Sequence, residues 1–302
     1  MPAAGFDLET VSIRGFDRDA VWKNVALPVV VPAALRAGLR IVDRFRPDVV
    51  LGMGGYVMAP AVAAARLRGI PYVLHEKDVR PGLATRLFAG GAAVVCTTLP
   101  GTEKRLKARR FVLTGVPLRD GFEPRTPHVP PRRLLVTGGS QGARRLNEAV
   151  WAVLGALTER YEEVIHVAGR QGAEGVVAHR RERYTGMAFT DDMPSLMARA
   201  DLILSRAGVS TIAEAAAVGL PMILVPGTFG GGHQLENAAA MVAAGAAITI
   251  PDEELTGRHL LTVLDGFPSE YLRPMAVASA ALGRRDAATR VLAVLHEVAA
   301  NR

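Results

Sequence analysis

Arg133-Leu-Leu-Val-Thr-Gly-Gly-Ser-Gln-Gly-Ala-Arg144 decides the fold. Its short apolar run reads as a strand buried on both faces. Glycines then turn the chain, and a helical pattern runs from Ala143 to Leu157. A strand, a Gly-rich turn and a helix open a doubly wound α/β domain, in which ligands sit beyond the carboxyl ends of the strands. Ser140 can donate to a phosphate oxygen, and Gly138, Gly139 and Gly142 keep the backbone open to one. The spacing is neither the Walker pattern nor the dinucleotide fingerprint.

Further strands are predicted after it at Val164–Val167, Met187–Phe189, Leu202–Leu204, Met222–Val225 and Ala247–Ile250. Helices are predicted at Ser195–Arg199, Thr211–Val218 and Leu235–Ala243, and again from Thr256 to Arg302. Upstream the same alternation gives strands at Asp48–Leu51, Tyr72–Leu74, Ala93–Cys96 and Phe111–Leu113, with helices at Ala59–Arg68, Gly82–Phe88 and Gly101–Leu106. Four prolines within residues 121–131 cannot continue a helix or a central strand. The expectation is two Rossmann-like domains: residues 1–120, a linker at 121–131, residues 132–285, and a last helix at 286–302 that packs back on the first domain.

The chain has 302 residues, 49% of them hydrophobic, enough for more than one core. A net charge of +7 favours anionic partners. Aromatic residues do not interleave with the basic ones, which argues against nucleic acid. The single cysteine, Cys96, lies in an apolar run and reads as a structural thiol. The longest apolar run, Val25 to Leu35, contains Pro28 and Pro32 and is too short to span a bilayer.

Other motifs fall at predicted strand ends. Leu51-Gly-Met-Gly-Gly-Tyr56 is either an anion-facing turn or a packing turn. Ser205-Arg-Ala-Gly-Val-Ser-Thr-Ile-Ala-Glu214 places Ser210 and Thr211 at a helix start and Glu214 one turn in, where a carboxylate can accept from a ribose diol. The plainer alternative is an N-cap with an early-helix acid. Pro226-Gly-Thr-Phe-Gly-Gly-Gly-His-Gln-Leu-Glu-Asn237 offers His233, Gln234 and Asn237 to sugar hydroxyls, or is a solvated loop. His75-Glu-Lys-Asp78 is a titratable cluster or a solvated turn. Trp22 to Arg46 combines Trp22, Val25, Leu27, Val29, Val30, Val31 and Leu35 with Lys23, Arg36, Arg40, Arg44 and Arg46. It reads equally as a core helix and as a face resting on an anionic membrane.

Taken together, the motifs resemble the MurG family, transferases that add N-acetylglucosamine to undecaprenyl-diphosphate-linked muramyl-pentapeptide. The resemblance is carried by Pro47-Asp-Val-Val-Leu-Gly-Met-Gly-Gly-Tyr56, Leu74-His-Glu76, Gly138-Gly-Ser-Gln-Gly-Ala-Arg144 with Asn147, Phe189-Thr-Asp-Asp-Met193, Arg206-Ala-Gly208 with Glu214, and Gly219-Leu-Pro221. It implies a GT-B fold, two doubly wound α/β domains with a cleft between them, and inverting transfer from UDP-N-acetylglucosamine at the cytoplasmic face of the membrane. It implies donor contacts by Ser140, Gln141, Gly142, Phe189, Thr190, Arg206, Gly208, Ser210, Thr211, Glu214, His233 and Gln234. Phe189 and Thr190 would flank the uracil, Glu214 the ribose, and Arg206 would lie beside the nucleotide. Acceptor-side contacts would come from Gly52, Gly54, Gly55, His75, Asp78 and Arg119. No cofactor and no obligatory metal are implied.

The sequence departs from the family's pattern in three places. The family opens on a Gly-Gly-Thr-Gly-Gly-His loop that carries its proposed base, and nothing like it precedes Phe6. The first domain is therefore expected to be incomplete at its start, no catalytic base is assigned, and weak or absent turnover is expected if the chain is complete as given. Lys77 and Asp78 replace the family's Gln and Asn, and Gly230-Gly-Gly-His233 precedes a single Gln. The alternatives are a UDP-N-acetylglucosamine 2-epimerase, another lipid glycosyltransferase, and a non-catalytic UDP-sugar-binding protein.

Overall fold

A computed structural model describes residues 5, 7–13, 22, 25, 27–228 and 232–301. The chain divides into two compact units. One comprises Met1–Thr114 with Ala288–Arg302, the other Gly115–Ala287.

The first unit opens with helix α1 (Leu27–Phe45), followed by β1 (Val50–Gly52), α2 (Ala59–Leu67), β2 (Tyr72–Glu76), α3 (Leu83–Phe88), β3 (Val94–Thr97) and β4 (Phe111–Leu113). The strands pair in parallel in the order β1-β2-β3-β4. Side chains alternate across this sheet. Leu74 and Val95 pack with Met58 and Val62 of the α2 side. Val73, Val94 and Cys96 pack with Val294 and Val298 of the chain's last helix. Burial pushes the Cys96 thiol up to about 11, as befits a structural cysteine. On α1, Ala34, Gly38 and Val42 form the buried stripe. A Cβ at Gly38 would lie 2.5 Å from the Pro60 carbonyl oxygen, so glycine lets α1 and α2 touch. Val29, Val31 and Phe45 remain exposed. Lys23 lies outside the described residues.

The second unit contains β5 (Arg133–Thr137), α4 (Arg144–Ala152), α5 (Leu154–Arg160), β6 (Glu163–Val167), α6 (Ala173–Ala178), β7 (Tyr184–Met187), α7 (Met193–Arg199), β8 (Leu202–Ser205), α8 (Val209–Val218), β9 (Met222–Leu224), α9 (His233–Ala243), β10 (Ala247–Thr249), α10 (Gly257–Gly266) and α11 (Leu272–Leu282). Helix α12 (Ala287–Ala300) then returns to the first unit. The six strands are parallel in the order β10-β9-β8-β5-β6-β7. Counted within the unit this is 3-2-1-4-5-6, with the reversal at the β5/β8 seam. Leu134, Val136, Val164, Leu202 and Leu204 pack with Leu146 and Val150 of α4 and with Leu260 and Leu264 of α10.

Four sequence expectations need correction. The 121–131 stretch belongs to the second unit, because buried Asp201 accepts from the backbone N–H groups of His128 (2.9 Å) and Arg132 (3.0 Å) and pairs with the Arg125 guanidinium. The helix expected over 143–157 breaks at Val153, a β-branched residue followed closely by Gly155, both weak helix formers. Strand β7 ends at Met187 rather than Phe189, since its register starts where Tyr184 pairs with Val164. The Gly101–Leu106 segment forms only a short 3-10 turn at Thr102–Arg105.

Candidate functional site

The β5/β8 seam positions the second unit's glycine turns. Thr137 sits in register with Ser205 on one side and Val167 on the other, and Ser205 with Leu224. The loops after β5, β6, β8 and β9 therefore leave the same sheet edge side by side. In the first, Gly139 N–H donates to Thr137 Oγ1 (3.1 Å) and Gly142 N–H to the Gly139 carbonyl (3.0 Å). Ser140 and Gln141 are exposed on this turn.

Gly142 has φ +88°, and a Cβ there would lie 2.3 Å from the Ala168 carbonyl oxygen. The loop after β6 thus lies directly against the turn. Arg170 N–H donates to the Ser140 carbonyl (3.2 Å) and Gln171 N–H to that of Gln141 (3.3 Å). Behind the loop a buried relay holds Ala168. Asn147 Nδ2 donates to its carbonyl (2.8 Å), which leaves Asn147 Oδ1 to accept from His166 Nε2 (3.0 Å). His166 Nδ1 then accepts from the Tyr184 hydroxyl (3.1 Å), which accepts in turn from Trp151 Nε1 (2.9 Å). Burial, with a smaller push from His179, drives the imidazole down to about 4, so it is neutral at pH 7 and can play both roles.

Two helices begin at the seam without a side-chain cap: α4 after Ala143 and α8 after Gly208. Their first N–H groups and dipoles make this edge attractive to anions. Ser210 is exposed and Thr211 half-buried at the start of α8, with half-buried Glu214 one turn in. Burial raises the Glu214 carboxyl, and the charge of Arg119 works against that rise. Arg119 therefore belongs to the second unit, beside the acid read as a ribose ligand.

Other expected donor residues have partners within the fold. The buried Arg206 guanidinium donates to the Val225 carbonyl (3.1 Å) and pairs with Asp252, tying the β9 and β10 loops together. These two contacts give Arg206 a bracing role at the sheet edge where the nucleotide is expected. Gln234 Oε1 accepts from Gly227 N–H (2.9 Å) and closes the loop after β9. Of that loop, Phe229, Gly230 and Gly231 lie outside the described residues. His233 begins α9, half-buried, and Asn237 Nδ2 donates to the Ala207 carbonyl (3.4 Å).

Phe189 and Thr190 follow β7. Thr190 Oγ1 accepts from Asp192 N–H (3.0 Å), and Asp192 caps α7. The Phe189 ring is 44% exposed, and the Arg170 guanidinium carbon lies 5.4 Å from its centroid. Sequence reasoning missed Arg170, which has no signal beyond standing after Gly169.

In the first unit, Gly52 pairs with Leu74, so the 53–55 turn and the 77–82 loop leave neighbouring strand ends. A Cβ on Gly52 would meet Met58 Sδ at 2.8 Å, so the packing of this turn requires glycine here. Gly54 (φ +79°) and Gly55 (φ +69°) shape the turn itself. His75 is buried. Glu76 is buried as well, and its oxygens accept from Asp78 N–H and Gly82 N–H at 3.2 Å, which fixes half-buried Asp78 in its loop.

Residues 133–291 match the glycosyltransferase family 28 C-terminal domain, and residues 1–97 the corresponding N-terminal domain. A Nocardioides sp. UDP-N-acetylglucosamine--N-acetylmuramyl-(pentapeptide) pyrophosphoryl-undecaprenol N-acetylglucosamine transferase is 37% identical, over 99% of this chain and 86% of its own. The Moorella thermoacetica transferase of the same name is 36% identical, over 98% and 86%. Among solved structures, MurG of Acinetobacter baumannii superposes with a TM-score of 0.78 at 27% identity, covering 98% of this chain and 86% of that one. A Neisseria meningitidis UDP-GlcNAc 2-epimerase bound to UDP-GlcNAc shares the fold, with a TM-score of 0.63 at 14% identity over 91% of this chain and 83% of its own.

Proposed function

Because the chain belongs to glycosyltransferase family 28, we propose that it transfers N-acetylglucosamine from UDP-N-acetylglucosamine to undecaprenyl-diphosphate-linked muramyl-pentapeptide, with inversion at the anomeric carbon. The observation that carries this reading is the pair of uncapped helix starts, α4 and α8, on adjoining strands, with Glu214 one turn into the second. The diphosphate lies across Ser140, Gln141, Gly142, Gly208, Ser210 and Thr211, where the helix dipoles stabilise the charge that builds on departing UDP. Glu214 accepts from the ribose hydroxyls, and the uracil rests on Phe189 beside Thr190. His233 and Gln234 border the sugar. In the first unit, Gly54, Gly55 and Asp78 border the acceptor, with buried His75 behind Gly54. The acceptor oxygen bonds to the anomeric carbon as the bond to UDP breaks, the electron pair leaves with UDP, and the hydroxyl proton passes to water.

The same reading makes this a peripheral protein of the cytoplasmic membrane face. Exposed Trp22, Val25, Val29, Val31 and Phe45 supply apolar contact, and Arg36 and Arg40 face anionic lipid. No described helix is long and apolar enough to cross a membrane.

The test is UDP release in the presence of UDP-N-acetylglucosamine and a lipid-linked acceptor, alongside calorimetry with UDP alone. UDP release that requires acceptor, and is lost in Glu214→Ala, is the expected result. Formation of UDP-N-acetylmannosamine from donor alone points instead to epimerisation. The absence of any heat with UDP rejects the donor site.

A further inference from the structure

We propose that Arg170 is a donor-site residue that exchanges the Phe189 ring for the diphosphate when the nucleotide binds. The inference rests on the donor-site reading above and extends it to a residue outside the motifs that suggested it.

Three observations carry it. The Arg170 backbone is pinned to the phosphate turn, its N–H donating to the Ser140 carbonyl at 3.2 Å while the next residue donates to Gln141. That attachment is rigid, because Gly169 and Gly142 approach so closely that a Cβ on Gly169 would lie 2.1 Å from Gly142. The side chain, by contrast, is exposed, and its guanidinium carbon lies 5.4 Å from the centroid of the exposed Phe189 ring. A residue fixed at its backbone beside the phosphate turn, with its charge laid over the base shelf, can serve either place by side-chain rotation alone.

Sterics and energetics set the direction. A base stacked on a ring sits about 3.5–4 Å above it, so a base and the guanidinium cannot share one face of Phe189 in the observed arrangement. An exposed cation–π contact is weaker than a nucleobase stacked on the same ring. The base therefore displaces the guanidinium, which turns toward the anion held at Ser140, where a charge-assisted hydrogen bond is the stronger contact. Arg170 thus opposes the base and favours the diphosphate, and it discriminates UDP from nucleoside.

The experiment measures UDP binding by calorimetry and uridine binding by ligand-observed NMR for wild type, R170A, R170Q and R170K. The expected result for R170A and R170Q is UDP binding weakened about fivefold, with uridine unchanged or up to about threefold tighter. R170K keeps the charge and retains most of the UDP affinity. Melting temperatures stay at the wild-type value, as expected for an exposed side chain. Equal weakening of uridine and UDP overturns the exchange, as does UDP affinity that ignores the substitution. A wild-type chain that binds uridine and UDP equally well also overturns it. A wild-type chain that binds neither removes the donor-site reading itself, which is a distinguishable failure.

Discussion

Replacing Gly142 by Ala tests whether the phosphate turn is held by backbone contact. The residue has φ +88°, a conformation that costs an L-residue about 1–2 kcal/mol. The new Cβ would sit 2.3 Å from the Ala168 oxygen, about 1 Å inside normal contact. That oxygen cannot swing aside freely, because Asn147 Nδ2 holds it at 2.8 Å. Relief means separating the two loops, which breaks the Arg170–Ser140 and Gln171–Gln141 bonds at about 1 kcal/mol each. The sum is about 3–4 kcal/mol, a large part of the stability of a typical domain. Gly139→Ala is the control: its φ is +81°, but a Cβ there meets nothing within 4 Å, so only the dihedral cost of about 1–2 kcal/mol applies. Urea unfolding of both variants, followed by tryptophan fluorescence, should separate them by about 2 kcal/mol, with UDP affinity falling further in G142A. Equal stabilities within about 0.5 kcal/mol would refute the argument that the two loops brace each other.

Glu214→Gln should weaken UDP binding about tenfold, through loss of a charged acceptor for the ribose. Burial raises this acid in the folded chain, so its charge opposes folding as pH rises through the raised value, and the same variant should melt slightly higher at neutral pH. Asp201→Ala should cost about 3–5 kcal/mol, because it strands the backbone N–H groups of His128, Arg132 and Arg133 and takes the buried carboxylate from the Arg125 guanidinium. Burial raises the Asp201 carboxyl, but those hydrogen bonds outweigh it and hold the group below its usual 3.8. Its stabilisation is thus complete above that value and lost as pH falls through the lowered one. Neutral His166 refuses a proton between pH 6.5 and about 4. The unfolded chain accepts one, so roughly 3 kcal/mol should be lost on acidification through that window, and His166→Gln should flatten the slope. Flotation with vesicles containing anionic lipid should carry the protein upward, and Val29→Asp with Phe45→Asp should leave it at the bottom; unchanged flotation would discount α1 as the contact.

The parallel strands were legible because each is a short apolar run bounded by turn residues. Misreadings arose where a distant side chain overrides local pattern. Met187-Ala-Phe189 reads as strand, but Tyr184, held by Trp151 and His166, places β7 earlier and sends Phe189 into a loop. Helix α6 went unread because Gly175 weakens its pattern, yet glycine is required there, a Cβ falling 2.0 Å from the Trp151 ring. The glycine turns, Ser210 and Glu214 were visible as residue types at strand ends. The engagement of Arg206 with Asp252 and the cation–π contact of Arg170 with Phe189 were not, since each joins loops far apart along the chain.

Helix α12 has a consequence for biosynthesis. Val73, Val94 and Cys96 are covered by Val294 and Val298, which leave the ribosome only after all of the second unit. Throughout most of translation, the nascent first sheet therefore carries an oily face awaiting its lid. A nonsense mutation shortly before Ala287 would spare every strand and every glycine turn, yet release a polypeptide that chaperones retain and proteases clear.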